Sequence, residues 1–90
     1  MLSITFDDLA DYVKHGREIE FRYEGKEYSI TNSHYKWHFC CDTDGTIITL
    51  CDFSEFEVLV EKISRLEINS ISITKIFNEH LGGVDVLAVL

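Results

Sequence analysis

Between Arg17 and Cys51 apolar and polar residues alternate with a period of two, and three short runs rich in Gly, Asn, Asp and Ser interrupt the alternation. Period two puts successive side chains on opposite faces of a strand, so the register at each turn is constrained. A slip of one residue would move every aromatic to the solvent face. Ile19, Phe21 and Tyr23 alternate with Glu18, Glu20, Arg22 and Glu24. A two-residue loop at Glu24-Gly25 sets Phe21 opposite Tyr28 and Arg22 opposite Glu27, which adds a cross-strand ion pair. A second loop at Ser33-His34 predicts Ile30 opposite Trp37 and Tyr28 opposite Phe39, with Tyr35, Trp37, Phe39 and Cys41 sharing a face. A third turn, Asp42-Thr43-Asp44-Gly45, sets Cys41 opposite Thr46, Phe39 opposite Ile48 and Trp37 opposite Leu50.

An apolar sheet face needs a cover, and the flanking sequence supplies helices. Thr5 with Asp8 three residues on reads as a capping box, Ile4 can staple against Leu9, and Phe6, Leu9, Ala10 and Val13 fall on one helical face that ends at Gly16. Ser54 with Glu57 reads as a second cap, before Phe56, Leu59, Val60 and Ile63. Leu66 and Ile68 alternate like a strand within helical surroundings. A third helix is predicted from Ser70 or Ser72, with Ile73, Ile76, Phe77 and Leu81 inward and Gly82-Gly83 as its stop. The expected fold is a two-layer α+β domain over residues 1–90, an antiparallel four-stranded meander with two to three helices on one face. Ninety residues are too few for two cores, and no linker or repeat divides them. The segment from Val84 to Leu90 is β-prone and nearly all apolar; burial within the chain is expected, with homodimerisation through it as the alternative.

The N-terminus has no basic region followed by an apolar run, and no apolar stretch approaches the roughly 20 residues that cross a bilayer, so a cytoplasmic protein with no membrane contact is expected. Cys40, Cys41 and Cys51 cannot all pair within one chain, and free thiols in a reducing compartment fit that number.

Charge is the remaining constraint. Sixteen Asp/Glu against eight Lys/Arg gives −8, which disfavours direct contact with nucleic acid or anionic lipid. Glu18, Glu20, Glu24 and Glu27 are expected on the outer sheet face near the first hairpin, and Glu55, Glu57 and Glu61 on the helix after the sheet. Beside them the outer face turns mildly apolar, with Cys40, Ile47, Thr49 and Cys51. Such a carboxylate array can compete for a basic groove on another protein.

The chemical motifs are sparse. Asp42-Thr43-Asp44-Gly45 has the look of a calcium loop, but with Gly45 sixth the first and twelfth positions are Cys40 and Cys51, which offer no hard oxygen. His34, His38 and the cysteines are zinc-ligand types without the usual spacing. Cys51 beside His38 is the one pair the expected register brings close enough for thiol or metal chemistry, and no phosphate-binding glycine loop or oxyanion motif accompanies it. No catalytic residue, cofactor or metal is therefore assigned. The aromatic set Phe21, Tyr23, Tyr28, Tyr35, Trp37 and Phe39 is read as core, because a base-stacking platform would need cations near it.

Residues 16 to 32, Gly-Arg-Glu-Ile-Glu-Phe-Arg-Tyr-Glu-Gly-Lys-Glu-Tyr-Ser-Ile-Thr-Asn, an aromatic strand, and Ile-Thr-Lys-Ile-Phe-Asn-Glu at 73 to 79 resemble a class of small acidic uncharacterised proteins of Gram-positive bacteria and their phages and mobile elements. In size and charge the chain is similar to anti-CRISPR inhibitors and DNA mimics. The resemblance implies a non-catalytic inhibitor that presents acid to a basic partner such as a nucleic-acid-processing enzyme. It carries over no functional residue. Two other readings stand beside it: a small thiol- or metal-dependent enzyme or sensor using His38 and Cys51, and a structural homodimer.

Overall fold

The computed structural model describes residues 3–90, which form an α+β fold: a five-stranded antiparallel sheet with three helices packed on it. The elements run α1 (Phe6–Lys14), β1 (Ile19–Tyr23), β2 (Lys26–Ser33), β3 (Lys36–Cys41), β4 (Thr46–Asp52), α2 (Phe56–Arg65), a small ribbon of β5 (Glu67–Ile68) and β6 (Ile71–Ser72), α3 (Ile73–Asn78), a short 3-10 turn at Leu81–Gly83, and β7 (Asp85–Val89). Strand order is β4-β3-β2-β1-β7, and β5 and β6 pair separately. The meander has the four expected strands, and the C-terminal segment adds the fifth. It crosses from the β4 edge by way of the helix layer and pairs antiparallel with β1, Ile19 opposite Val89 and Phe21 opposite Val86. The apolar segment thus pairs inside the chain, with Val86 buried and Val84 and Val89 packed against the core, while Leu87 and Leu90 stay exposed.

The first hairpin follows the sequence prediction pair by pair. Phe21 faces Tyr28 and Arg22 faces Glu27, and Glu24 and Gly25 both take positive φ in the tight turn. The second hairpin is shifted by two residues: its loop is His34-Tyr35, Ile30 faces Phe39, Tyr28 faces Cys41, and Asn32 faces Trp37. A shift of two preserves every side chain's face, so the hydrophobic pattern alone could not distinguish the alternatives. Its main effect is on Tyr35, which leaves the aromatic layer for the turn and is 86% exposed. The third hairpin begins as expected, with Cys41 opposite Thr46 and Phe39 opposite Ile48, but Leu50 is an extra residue and Trp37 therefore faces Cys51.

The core lies between the sheet and the helices. Phe21 stacks on Tyr28 (5.4 Å between ring centroids), Tyr28 stacks on Phe39 (5.7 Å), and Phe77 from α3 meets Phe21 edge-on (5.1 Å). Trp37 is fully buried, stacks on Phe53 and donates its indole N–H to the Phe53 carbonyl at 3.1 Å. α1 has the expected capping box: the Asp8 amide donates to the Thr5 hydroxyl, and the Thr5 amide to the Asp8 carboxylate. α2 differs, because Glu55, not Ser54, is the N-cap and no side chain caps the helix. α3 starts after Ser72, whose hydroxyl accepts the Lys75 amide.

Candidate functional site

All three helices pack over the apolar face, so among the described residues nothing covers the opposite face of the sheet. Its composition can be followed along rows of facing residues. Ala88, Glu20, Ser29, Cys40 and Ile47 form one row across all five strands. Asp85, Arg22 and Glu27 form a second, and Thr31, His38 and Thr49 a third. The face therefore grades from ionic on β1 and β2 through hydroxyl-bearing residues to apolar at β4, where Ile47 is 67% exposed. Ser29 is buried despite lying on this face, because Glu20 and Cys40 flank it, and its hydroxyl donates to the Asp42 carboxylate at 3.1 Å.

The seven predicted acidic residues do not form one patch. Glu18, Glu20 and Glu27 lie on or beside the uncovered face, Glu24 occupies the first turn, and Glu55, Glu57 and Glu61 belong to the helix layer on the other side. Five of the seven also have local roles. The Glu18 carboxylate accepts the Asn32 amide at 2.8 Å where the β1-β2 ladder ends, and Glu24 accepts the Asn69 side-chain amide at 2.8 Å. Glu27 pairs with Arg22 at 3.2 Å, Glu61 pairs with Arg65 at 3.0 Å one helical turn on, and Glu55 folds back to accept the Asp52 amide at 3.1 Å. Glu20 and Glu57 have no ion pair or hydrogen bond to their side chains among the described residues.

Two further ion pairs depend on register and were not predicted. Lys36 binds Asp52 at 2.7 Å, and Lys26 binds Asp44 at 3.1 Å across the neighbouring turn. Each lysine is held above its ordinary pKa by the hydrogen bond to its carboxylate, and Asp44 is held below its own. Unbroken alternation sets Lys36 opposite Cys51, and the Leu50 bulge is what brings Asp52 to Lys36.

The expected pairing of His38 with Cys51 is corrected by the same bulge. His38 is on the uncovered face, with Nδ1 3.2 Å from the Thr49 hydroxyl, whereas Cys51 faces Trp37 on the helix side and packs against the core. Burial, then the Glu55 carboxylate, pushes the Cys51 thiol pKa up, the opposite of what a thiolate nucleophile needs. Among the described residues no three His, Cys, Asp or Glu side chains are grouped to hold a metal ion. The Asp42 to Gly45 segment is a hairpin turn, with Gly45 at positive φ and its amide bonded to the Cys41 carbonyl.

Sequence reasoning also missed a shallow depression of about 440 Å³ at the second turn, lined by His34, Tyr35, Lys36, Asp52, Phe53 and Ser54. It lies where the two-residue register shift places Tyr35 in the turn, with the Tyr35 carbonyl accepting the Phe53 amide at 2.6 Å. No helix of the described residues is long and apolar enough to cross a membrane. No protein-family model, curated protein or solved structure matches this chain.

Proposed function

We propose that this chain is a non-catalytic binding module that presents its acidic surface to a basic protein. The observation that carries this reading is how folding distributes the charge. The ion pairs of Arg22, Lys26, Lys36 and Arg65 each match one base with one acid and leave the excess of acids over bases unchanged, and Glu20 and Glu57 have no local partner among the described residues. Glu20 sits in a helix-free sheet face beside an apolar strip at Cys40 and Ile47. Acid next to apolar surface supports electrostatic steering followed by desolvated contact. Separation of the acids into two layers favours one layer at a time as the contact surface, so the seven predicted glutamates need not act together.

A basic nucleic-acid-processing enzyme is the partner class that this charge suits best, and a phage or mobile-element inhibitor is the corresponding role. The test is capture of partners from bacterial lysate at low and at moderate salt, with the wild-type chain and with Glu20→Arg and Glu57→Arg. A partner retained at low salt, released at moderate salt and lost with one of the two reversals supports the reading. Capture that is insensitive to salt and to both reversals overturns it.

A further inference from the structure

We propose that the free edge of β4 at residues 46–49 is a strand-addition site for an extended, basic segment of a partner protein. This inference rests on the reading of the chain as a module for a basic partner and specifies where and how such a partner is held.

An edge strand normally has one face packed on the core. Thr46, Ile47, Ile48 and Thr49 are exposed on both faces. Ile47 lies on the uncovered side, while Ile48, opposite the buried Phe39 on the helix side, is still 44% exposed because the helix layer does not reach it. Two adjacent β-branched residues are therefore exposed on opposite faces of an edge that no described strand pairs, where an incoming strand could pair with its backbone and pack alternate side chains against each. The available edge ends at Leu50, whose carbonyl accepts the Lys62 ammonium, and at Asp52, whose amide donates to the Glu55 carboxylate. The opposite edge is less open: β7 is bulged at Leu87, and the Val89 carbonyl accepts the Arg17 guanidinium at 3.4 Å.

Charge selects the occupant. The segment is preceded by Asp42, which holds the Ser29 hydroxyl, and Asp44, and followed by Asp52, Glu55 and Glu57; the compensating cations are Lys26 on Asp44 at one end, and Lys36 on Asp52 with Lys62 on the Leu50 carbonyl at the other, so the surplus is one acid at each end. A second copy pairing antiparallel would set Asp42 and Asp44 against its own Asp52 and Glu55, and like charges opposed at both ends destabilise that arrangement. A strand with lysine or arginine flanking alternating apolar residues meets attraction at both ends instead.

The test uses the full chain, labelled with ¹⁵N, and an eight-residue probe of alternating Val and Thr with two Lys at each end. A twin with Glu in place of Lys, and another with Pro in place of the central Val, serve as controls. Amide shifts concentrated at 46–49 with the Lys peptide, together with at least about ten-fold weaker binding by both twins and by the doubly substituted chain Ile47→Lys, Ile48→Lys, support the proposal. The shift map of the wild-type chain carries the test even where that variant fails to fold. Shifts centred on Glu18, Glu20 and Glu27 overturn the edge site while leaving the acidic-surface reading intact. Absence of shifts at 46–49 overturns the edge site too, and salt-sensitive capture then decides the broader reading separately. Dimerisation of the chain alone through 46–49, seen by sedimentation, overturns the basic occupant.

Discussion

Gly82 lies where the chain passes from α3 towards β7, at φ +56°, and its carbonyl accepts the Glu24 amide at 2.9 Å. A Cβ at this position would run into the Tyr23 ring, and Tyr23 is only 2% exposed, so the ring cannot swing into solvent. Gly83 is a natural control: its φ is +67°, but a Cβ there meets nothing within 4 Å. Gly83→Ala therefore isolates the cost of the left-handed backbone, about 1 kcal/mol after the gain from a stiffer unfolded chain. Gly82→Ala adds the overpacking of a buried aromatic, about 1–3 kcal/mol more, for a total of about 2–4 kcal/mol. Against the roughly 5–13 kcal/mol expected of a chain this long, that is a large fraction of the stability. Urea unfolding followed by fluorescence of Trp37 measures both variants, since that indole is buried against Phe53 and changes environment on unfolding. Losses within about 0.5 kcal/mol of each other would refute the close approach of Gly82 to Tyr23.

Two other outcomes concern ionisation. Burial first, then Glu24 for Tyr23 and Cys41 for Tyr28, raises both phenol pKa values, so the unfolded chain ionises first. The stability they contribute is intact at neutral pH, begins to fall as pH rises through about 10, and is lost through the higher folded-state values, so the urea midpoint should drop between about pH 8 and 10.5 and drop less in Tyr23→Phe; an unchanged midpoint contradicts this. At Cys51, Glu55→Gln removes the charge that adds to burial in raising the thiol pKa and retains an oxygen for the Asp52 amide, so alkylation of that cysteine by iodoacetamide near pH 8 should become faster, as mass mapping of the modified peptide would show; an unaltered or slower rate sinks the electrostatic account.

What the sequence made legible follows from what its patterns encode. Period two determines which face a side chain takes, and the layer built on Phe21, Tyr28, Trp37 and Phe39 was readable for that reason. It does not encode shifts of two, so alternation is equally compatible with a turn at Ser33-His34 and with the His34-Tyr35 turn that the chain uses. Neither residue is a common choice for positive φ, and no Asn-Gly or Asp-Gly signal marked the turn. Bulges leave still less trace: nothing about Leu50 in the sequence separates it from its neighbours, yet its insertion puts Cys51 on the opposite face from His38. Charges were readable as a total. Their partners were not, since Glu18 on the Asn32 amide and Glu24 on the Asn69 side chain depend on contacts that exist only after folding. For the fifth strand the sequence indicates burial, expected within the chain, but not which strand it pairs with, because an apolar run specifies burial without specifying by what.

The pairing of β7 with β1 also has a consequence for synthesis. β1 is made well before its neighbour on that side, the two being separated by the residues between 23 and 85. At about 5–20 residues per second, a nascent chain leaves Ile19–Tyr23 with one edge unpaired for several seconds after its hairpin with β2 can form. During that interval the strand that ends one in from the edge of the sheet is itself a border. Alternation of Glu18, Glu20 and Arg22 with its apolar residues places charge along that border, where it opposes association with other unfinished chains until the C-terminal strand arrives.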